Sequence, residues 1–230
     1  MKTITILTCD RQPSYLADTV ATIPEWYAIQ YVAQTSPGIK VDCPRVRGKW
    51  EVKTEKGVVP MKDEVINTNK LYIEDETRHR DSQYNYAIAL LNTKDGLIIE
   101  DDVKLCRNFD IELEQRLAEI PTKRYAFALY SCYNWGGYSD YDKIAKYPID
   151  MFYGTQAMVF DLQTAKEFGT YLLNNIGKEP YDLALKTYIK EVDPEVVLYA
   201  SKLSLVQHIG DVSTGLGNGH KCFNFVDDVR

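Results

Sequence analysis

The stretch LIIEDDV, residues 97–103, runs three apolar residues straight into three carboxylates, Glu100, Asp101 and Asp102. Neighbouring anions repel one another, so a strand tip that carries them calls for a cation, a basic side chain or water. Ligands of open α/β sheets gather at the carboxyl ends of strands. An acid cluster there suits a hard divalent cation, Mn²⁺ or Mg²⁺, which takes oxygen ligands and shares them with substrate phosphates. The plainer alternative is a solvated corner. His208, in SLVQHIG, follows an apolar run and precedes Gly210. It reads either as a satisfied core or surface histidine or as a strand-end ligand, since Mn²⁺ also accepts imidazole. Arg11 follows the apolar segment TITILTC, where a doubly wound sheet receives a nucleotide. Asp182, just after Pro180, either complements the first turn of a helix or acts as a general base.

Other chemistries leave no mark. GxGxxG and GxxxxGK[ST] are both absent, and GLGNG at 215–219 reads as a flexible tail before it reads as a phosphate loop. Five cysteines occur at wide spacing without a CxxC pair, which signals neither a zinc site nor a disulfide framework and fits reduced thiols. The run YSCYNWGGYSDY offers flat aromatic faces for stacking a sugar or a base, or it is ordinary packing.

Strands and helices must position these groups. TITILTC at 3–9 reads as a buried parallel strand, DRQPSYLADTVATI as a loop and helix, and AIQYVAQ from Ala28 as the next strand. RDSQYNYAIALLN, NFDIELEQRLAEI, LQTAKEFGTYLLNN and EPYDLALKTYIKE carry helical spacing. RYAFALYSCYNW reads as a strand, DMFYGTQAMVF as a strand pair or one strand bent at Gly154, and VVLYASKLSLVQHIG as closing strand. WEVKTEKGVVPM looks like a hairpin or an excursion, and residues 36–75 otherwise resist assignment. Strands alternating with helices predict a single α/β domain over 1–230, with a mostly parallel Rossmann-like sheet flanked by helices and a mobile glycine-rich tail over 213–230.

A net charge of -6 argues against broad phosphate-tracking contact with nucleic acid. The segment from Lys40 to Lys56 is locally basic, with six Lys/Arg against three acids. MKTITILTCD turns polar too soon for a signal peptide, and no apolar run approaches the about 18 residues of a span, so a cytoplasmic protein is expected.

Four of these blocks, in this order, resemble the GT-A-fold glycosyltransferases, and specifically the catalytic core of the N-acetylglucosaminyltransferase IV group of N-glycan branching enzymes. They are DRQPSYLADTVATI, RDSQYNYAIALLNTKDGLIIEDDVKLCRNF, EPYDLALKTYI and LSLVQHIGDVST. Residues 36–75 match nothing in that group. The resemblance implies a metal-dependent inverting transferase using a nucleotide-diphosphate sugar. It implies Thr8, Asp10 and Arg11 at the nucleotide, Glu100 or Asp101 at the ribose or sugar, and Arg80 or Gln83 at the diphosphate or sugar. It further implies Asp102 and His208 on Mn²⁺ or Mg²⁺, and Asp182 as the base. The tail, with His220 and Lys221, would order over the donor. A bacterial or phage setting is expected, with a glycan favoured as acceptor over a lipid-linked sugar, a protein or a hydroxymethylated DNA base. A nucleotidyltransferase and a non-catalytic metal-dependent sugar- or nucleotide-binding module are the competing readings.

Overall fold

The structure, a computed structural model, describes residues 2–9, 14–35, 50–54, 57–61, 64–69, 78–131, 133, 135, 140–210 and 221–228. Strand β1 (Thr3–Cys9), helix α1 (Leu16–Thr22) and strand β2 (Ala28–Thr35) form the expected opening unit, with β1 and β2 parallel. Alternation along β1 divides its side chains between two faces. Ile4 and Ile6 join one apolar cluster and Leu7 the other, so both faces of the strand are buried.

The chain then forms a hairpin of β3 (Trp50–Thr54) and β4 (Gly57–Met61), one of the two readings of that stretch, and an edge strand β5 (Glu64–Asn69), which the sequence did not indicate. EVINTN has no strong strand pattern; its pairing with β2 defines it. Helix α2 (Arg78–Asn92) leads to β6 (Leu97–Glu100), whose carboxyl end carries the acids, and a short β7 (Val103–Leu105) follows. Next come α3 (Phe109–Leu117), β8 (Tyr125–Ala128), β9 (Ile144–Lys146), β10 (Ala157–Phe160), α4 (Leu162–Asn174) and α5 (Tyr181–Thr187). A single wider turn, Tyr188–Val192, extends α5, and β11 (Val197–Ser201) and β12 (Val206–His208) complete the order.

The main sheet has eight strands in the order β5-β2-β1-β6-β10-β8-β11-β9. It is mixed α/β and mostly parallel, with β10 and β9 running against the rest. Helices α1 and α3 pack on one face, and α2, α4 and α5 on the other.

Three expectations change, and one of the two readings of a fourth stretch, DMFYGTQAMVF, holds. The strand expected over RYAFALYSCYNW ends at Ala128. The stretch DMFYGTQAMVF is one strand, β10, reached through a 3₁₀ turn at Ile149–Met151 and a bend at Gly154, whose φ of 83° suits glycine. The closing segment is two strands in two sheets. β11 lies in the main sheet, while β12 pairs antiparallel with β7. Residues 221–228 of the expected mobile tail are packed. Cys222, Phe225 and Val226 are buried, and Phe225 bridges to Ser204.

Candidate functional site

Parallel pairing of β1 with β6 sets Leu7 opposite Glu100. One residue further, the Thr8 hydroxyl donates to Asp101 Oδ2 at 2.6 Å. Asp101 is only 4% exposed, and its carbonyl accepts from the Thr19 hydroxyl of α1 at 2.8 Å. The same Thr19 oxygen accepts from the Val103 amide at 3.1 Å. Asp101 is therefore turned into the fold, and Thr8 supports the acid loop beneath it.

Asp102 turns the other way. The register of β12 on β7 sets His208 opposite Val103, which brings His208 Nε2 to 3.2 Å from Asp102 Oδ2. The Asp102 carbonyl accepts from the Ile209 amide at 2.8 Å. Gly210 follows with no side chain for a physical reason: a Cβ there would lie 2.8 Å from Asp102 Oδ2. Two residues 106 positions apart are thus joined by a two-stranded sheet of three residues a side.

Glu100 takes a third direction. Its Oε1 accepts from the Tyr181 hydroxyl at 2.9 Å, and its amide donates to the Gln156 carbonyl at 2.8 Å. The Tyr181 ring stacks on Tyr86 of α2, with centroids 4.6 Å apart and planes 15° from parallel. Burial pushes the Glu100 carboxyl up to about 7, and the charge of Asp102 adds to this, while the Tyr181 hydroxyl and His208 act in the opposite sense. Burial, and next the charge of Glu100, likewise hold the Tyr86 and Tyr181 hydroxyls well above the usual tyrosine range.

Tyr181 opens α5, so its bond to Glu100 ties the first turn of that helix, which carries Asp182, to the end of β6. Asp182 is half-buried; its Oδ1 accepts from the Leu183 amide at 2.9 Å, and its charge reaches Tyr86. The structure therefore gathers Thr8, Glu100, Asp101, Asp102 and His208 at one edge of the sheet, with Asp182 on the helix that Tyr181 ties to it. Sequence reasoning missed Tyr181, Tyr86 and Thr19. Tyr181 adjoins a residue that the motif singled out, but nothing in spacing signals a hydroxyl reaching across 81 positions.

Gln83 is fully buried; its Oε1 accepts from the Gly177 amide at 2.6 Å and its Nε2 donates to the Asn175 carbonyl at 3.4 Å. It pins the loop between α4 and α5. Asp10, Arg11 and His220 lie outside the described residues, as does the Arg80 side chain. Lys221 is exposed, and the next residue, Cys222, bonds through its amide and carbonyl to the Gln207 side chain, at 2.7 and 2.9 Å. In the aromatic run, Trp135 is core. It donates to the Ser131 hydroxyl at 3.0 Å and meets Tyr147 edge-on at 4.9 Å.

Two donors on neighbouring octahedral positions of a cation, each at about 2.1 Å, stand about 3.0 Å apart. The 3.2 Å between Asp102 Oδ2 and His208 Nε2 fits that separation. Among the described residues, no group of three or more His, Cys, Asp and Glu side chains gathers as a metal cage. The same 3.2 Å also makes a direct hydrogen bond between the two side chains.

No family model matches the chain, and no curated protein is similar to it. Among solved structures it is similar to the crystal structure of a glycosyltransferase involved in the glycosylation of the major capsid of PBCV-1. The TM-score is 0.39 at 15% identity, over 85% of this chain and 80% of that one. So loose a likeness carries no argument about activity. The comparisons give the N-acetylglucosaminyltransferase IV resemblance no support. Among the described residues, no helix is long and apolar enough to cross a membrane.

Proposed function

We propose that the chain is a GT-A-type glycosyltransferase that moves a sugar from a nucleotide-sugar donor to an acceptor hydroxyl. One observation carries the reading. The acid loop at the carboxyl end of β6 pairs Asp102 with His208 at 3.2 Å, and its Glu100 bonds Tyr181, the residue before Asp182. A candidate cation pair and a candidate base tied to one sheet edge are what such a transfer needs.

A divalent cation, Mn²⁺ or Mg²⁺, held by Asp102 and His208 would neutralise charge on the donor diphosphate as a Lewis acid. Thr8 holds Asp101, while Asp102, just as buried, has its Oδ2 beside His208. Asp182 accepts the proton of the acceptor hydroxyl. That oxygen then bonds to the anomeric carbon as the bond to phosphate breaks, and the nucleoside diphosphate leaves. A single base with direct displacement inverts the anomeric centre. Asp10, Arg11 and Arg80 remain in the proposal as donor contacts; Gln83 leaves it.

Calorimetric titration of nucleotide-diphosphate sugars, with and without Mn²⁺, tests this on the wild type, Asp102→Ala and Asp182→Ala. Cation-dependent binding is expected in the wild type, weakened more than about tenfold in Asp102→Ala. Asp182→Ala should bind donor and fail to transfer. Nucleotide binding with transfer unaffected by Asp182→Ala removes the base. No nucleotide binding by the wild type removes the transferase.

A further inference from the structure

We infer that Gln207 is a positioning residue for the Asp102–His208 pair: it straps β12 to the returning segment 221–228 and so holds the His208 ring on Asp102. The inference deepens the transferase reading, whose cation the pair would serve, but the strap itself needs no cation. Strands β7 and β12 are three residues each. A two-stranded ribbon of that length is marginal by itself. Something outside the ribbon must keep His208, the last residue of β12, at 3.2 Å from Asp102.

Alternation along the ribbon assigns its two faces. Val103 and His208 are cross-strand partners, and so are Lys104 and Gln207. Neighbours on a strand point to opposite faces, so the Gln207 side chain leaves the ribbon on the side away from His208. Lys104 and Gln207 both reach the returning segment. The Gln207 side-chain amide accepts from the Cys222 amide at 2.7 Å and donates to the Cys222 carbonyl at 2.9 Å. These are the two bonds that a residue of a third strand would make. Beside them, Lys104 Nζ lies over the Phe225 ring, 6.0 Å from its centroid.

The same segment grips both strands at further points, which keeps Cys222 from drifting with Gln207. Ser204, ahead of β12, donates its amide to the Asn224 carbonyl at 3.0 Å and accepts from the Val226 amide at 3.0 Å. The Asn224 side chain donates to the Lys202 carbonyl at 3.0 Å. Beyond β7, the Arg107 amide donates to the Asp227 carboxylate, 3.1 Å from each oxygen. Of the residues so gripped, Gln207 is the one that adjoins His208. Cys222 is buried, so water competes poorly for its two bonds to Gln207.

Modification of the cation-free full chain by diethyl pyrocarbonate, read peptide by peptide in a mass spectrometer, tests the strap. The His208 side chain is 11% exposed, so the wild type should react slowly there. Gln207→Leu keeps the bulk and removes both bonds to Cys222. His208, normalised to His79, should then react faster by about threefold or more. Phe168→Leu, a core change in the other apolar cluster, should leave the His208 rate unchanged. Mn²⁺ alone, followed by electron paramagnetic resonance, should bind Gln207→Leu about tenfold more weakly than wild type. If Gln207→Leu does not fold, Gln207→Glu is measured in its place, since it keeps the acceptor for the Cys222 amide and loses the donor. An unchanged His208 rate in the Gln207 variant, an equal rise in Phe168→Leu, or Mn²⁺ held as tightly as by wild type would each overturn the inference. A raised His208 rate in a protein whose wild type binds no Mn²⁺ would leave the strap standing and remove the cation from the transferase reading.

Discussion

At the residue scale, the three acids are held apart by giving each its own partner. Glu100 meets a phenol, Asp101 a threonine hydroxyl and Asp102 an imidazole. A buried carboxylate is costly unless hydrogen-bonded, which makes the Thr8 to Asp101 bond a structural necessity. Thr8→Val keeps the shape and removes the donor. It is expected to lower stability by about 1–3 kcal/mol in urea unfolding at an unchanged m value, and Thr8→Ser should restore most of this. A Thr8→Val protein as stable as wild type would remove Thr8 from the support of the loop. The types and positions of the three acids and His208 were legible in the sequence. Their division of labour was not, because a side chain's direction depends on what lies across from it.

At the element scale, α5 shows how a site is carried by packing. It is seven residues long, and its Pro180 cap supplies no side-chain hydrogen bond. A helix so short is marginal alone. It is held by Tyr181 on Glu100, by the stack on Tyr86 and by burial of Ala184 and Leu185. Tyr181→Phe keeps the stack and loses the hydroxyl. Amide exchange over residues 183–187 should then accelerate by up to about tenfold, with exchange in the Phe168 region unchanged. Unchanged exchange over 183–187 would show that the bond to Glu100 does not hold the helix. The sequence marks α5 through its Pro-x-Asp start and apolar spacing. It marks strand character up to His208 but neither β7 nor the break that sends β12 to pair with it, because three-residue strands carry too little pattern to show their partners.

At the scale of the whole molecule, the returning segment 221–228 closes the core. Phe225 and Val226 pack into the cluster beneath α1 and α3, and the Cys222 thiol donates to the Ser131 carbonyl at 2.7 Å. Each large buried side chain contributes about 1.5–3 kcal/mol, against a typical total of about 5–15 kcal/mol. Removal of everything after Ser213 is therefore expected to lower the melting temperature sharply and to weaken the near-ultraviolet circular dichroism. An unchanged melting temperature would show the segment to be dispensable. A role for His220 or Lys221 over a donor has to be tested by point substitution, since truncation also removes this core.

The sequence by itself determined the α/β alternation, the buried opening strand, the acid triplet at a strand end and the helix that begins at Asp182's block. Those features follow from local periodicity and residue type, which a chain carries whether or not it is folded. Only the tertiary structure decided that Asp101 turns inward, that Gln83 fastens a loop, that Trp135 is core and that Tyr181 ties Asp182 to Glu100. It also decided that His208 meets Asp102 from a second, smaller sheet. These contacts join residues from four to 106 positions apart, and their partners are chosen by strand register and helix packing, which no local pattern encodes.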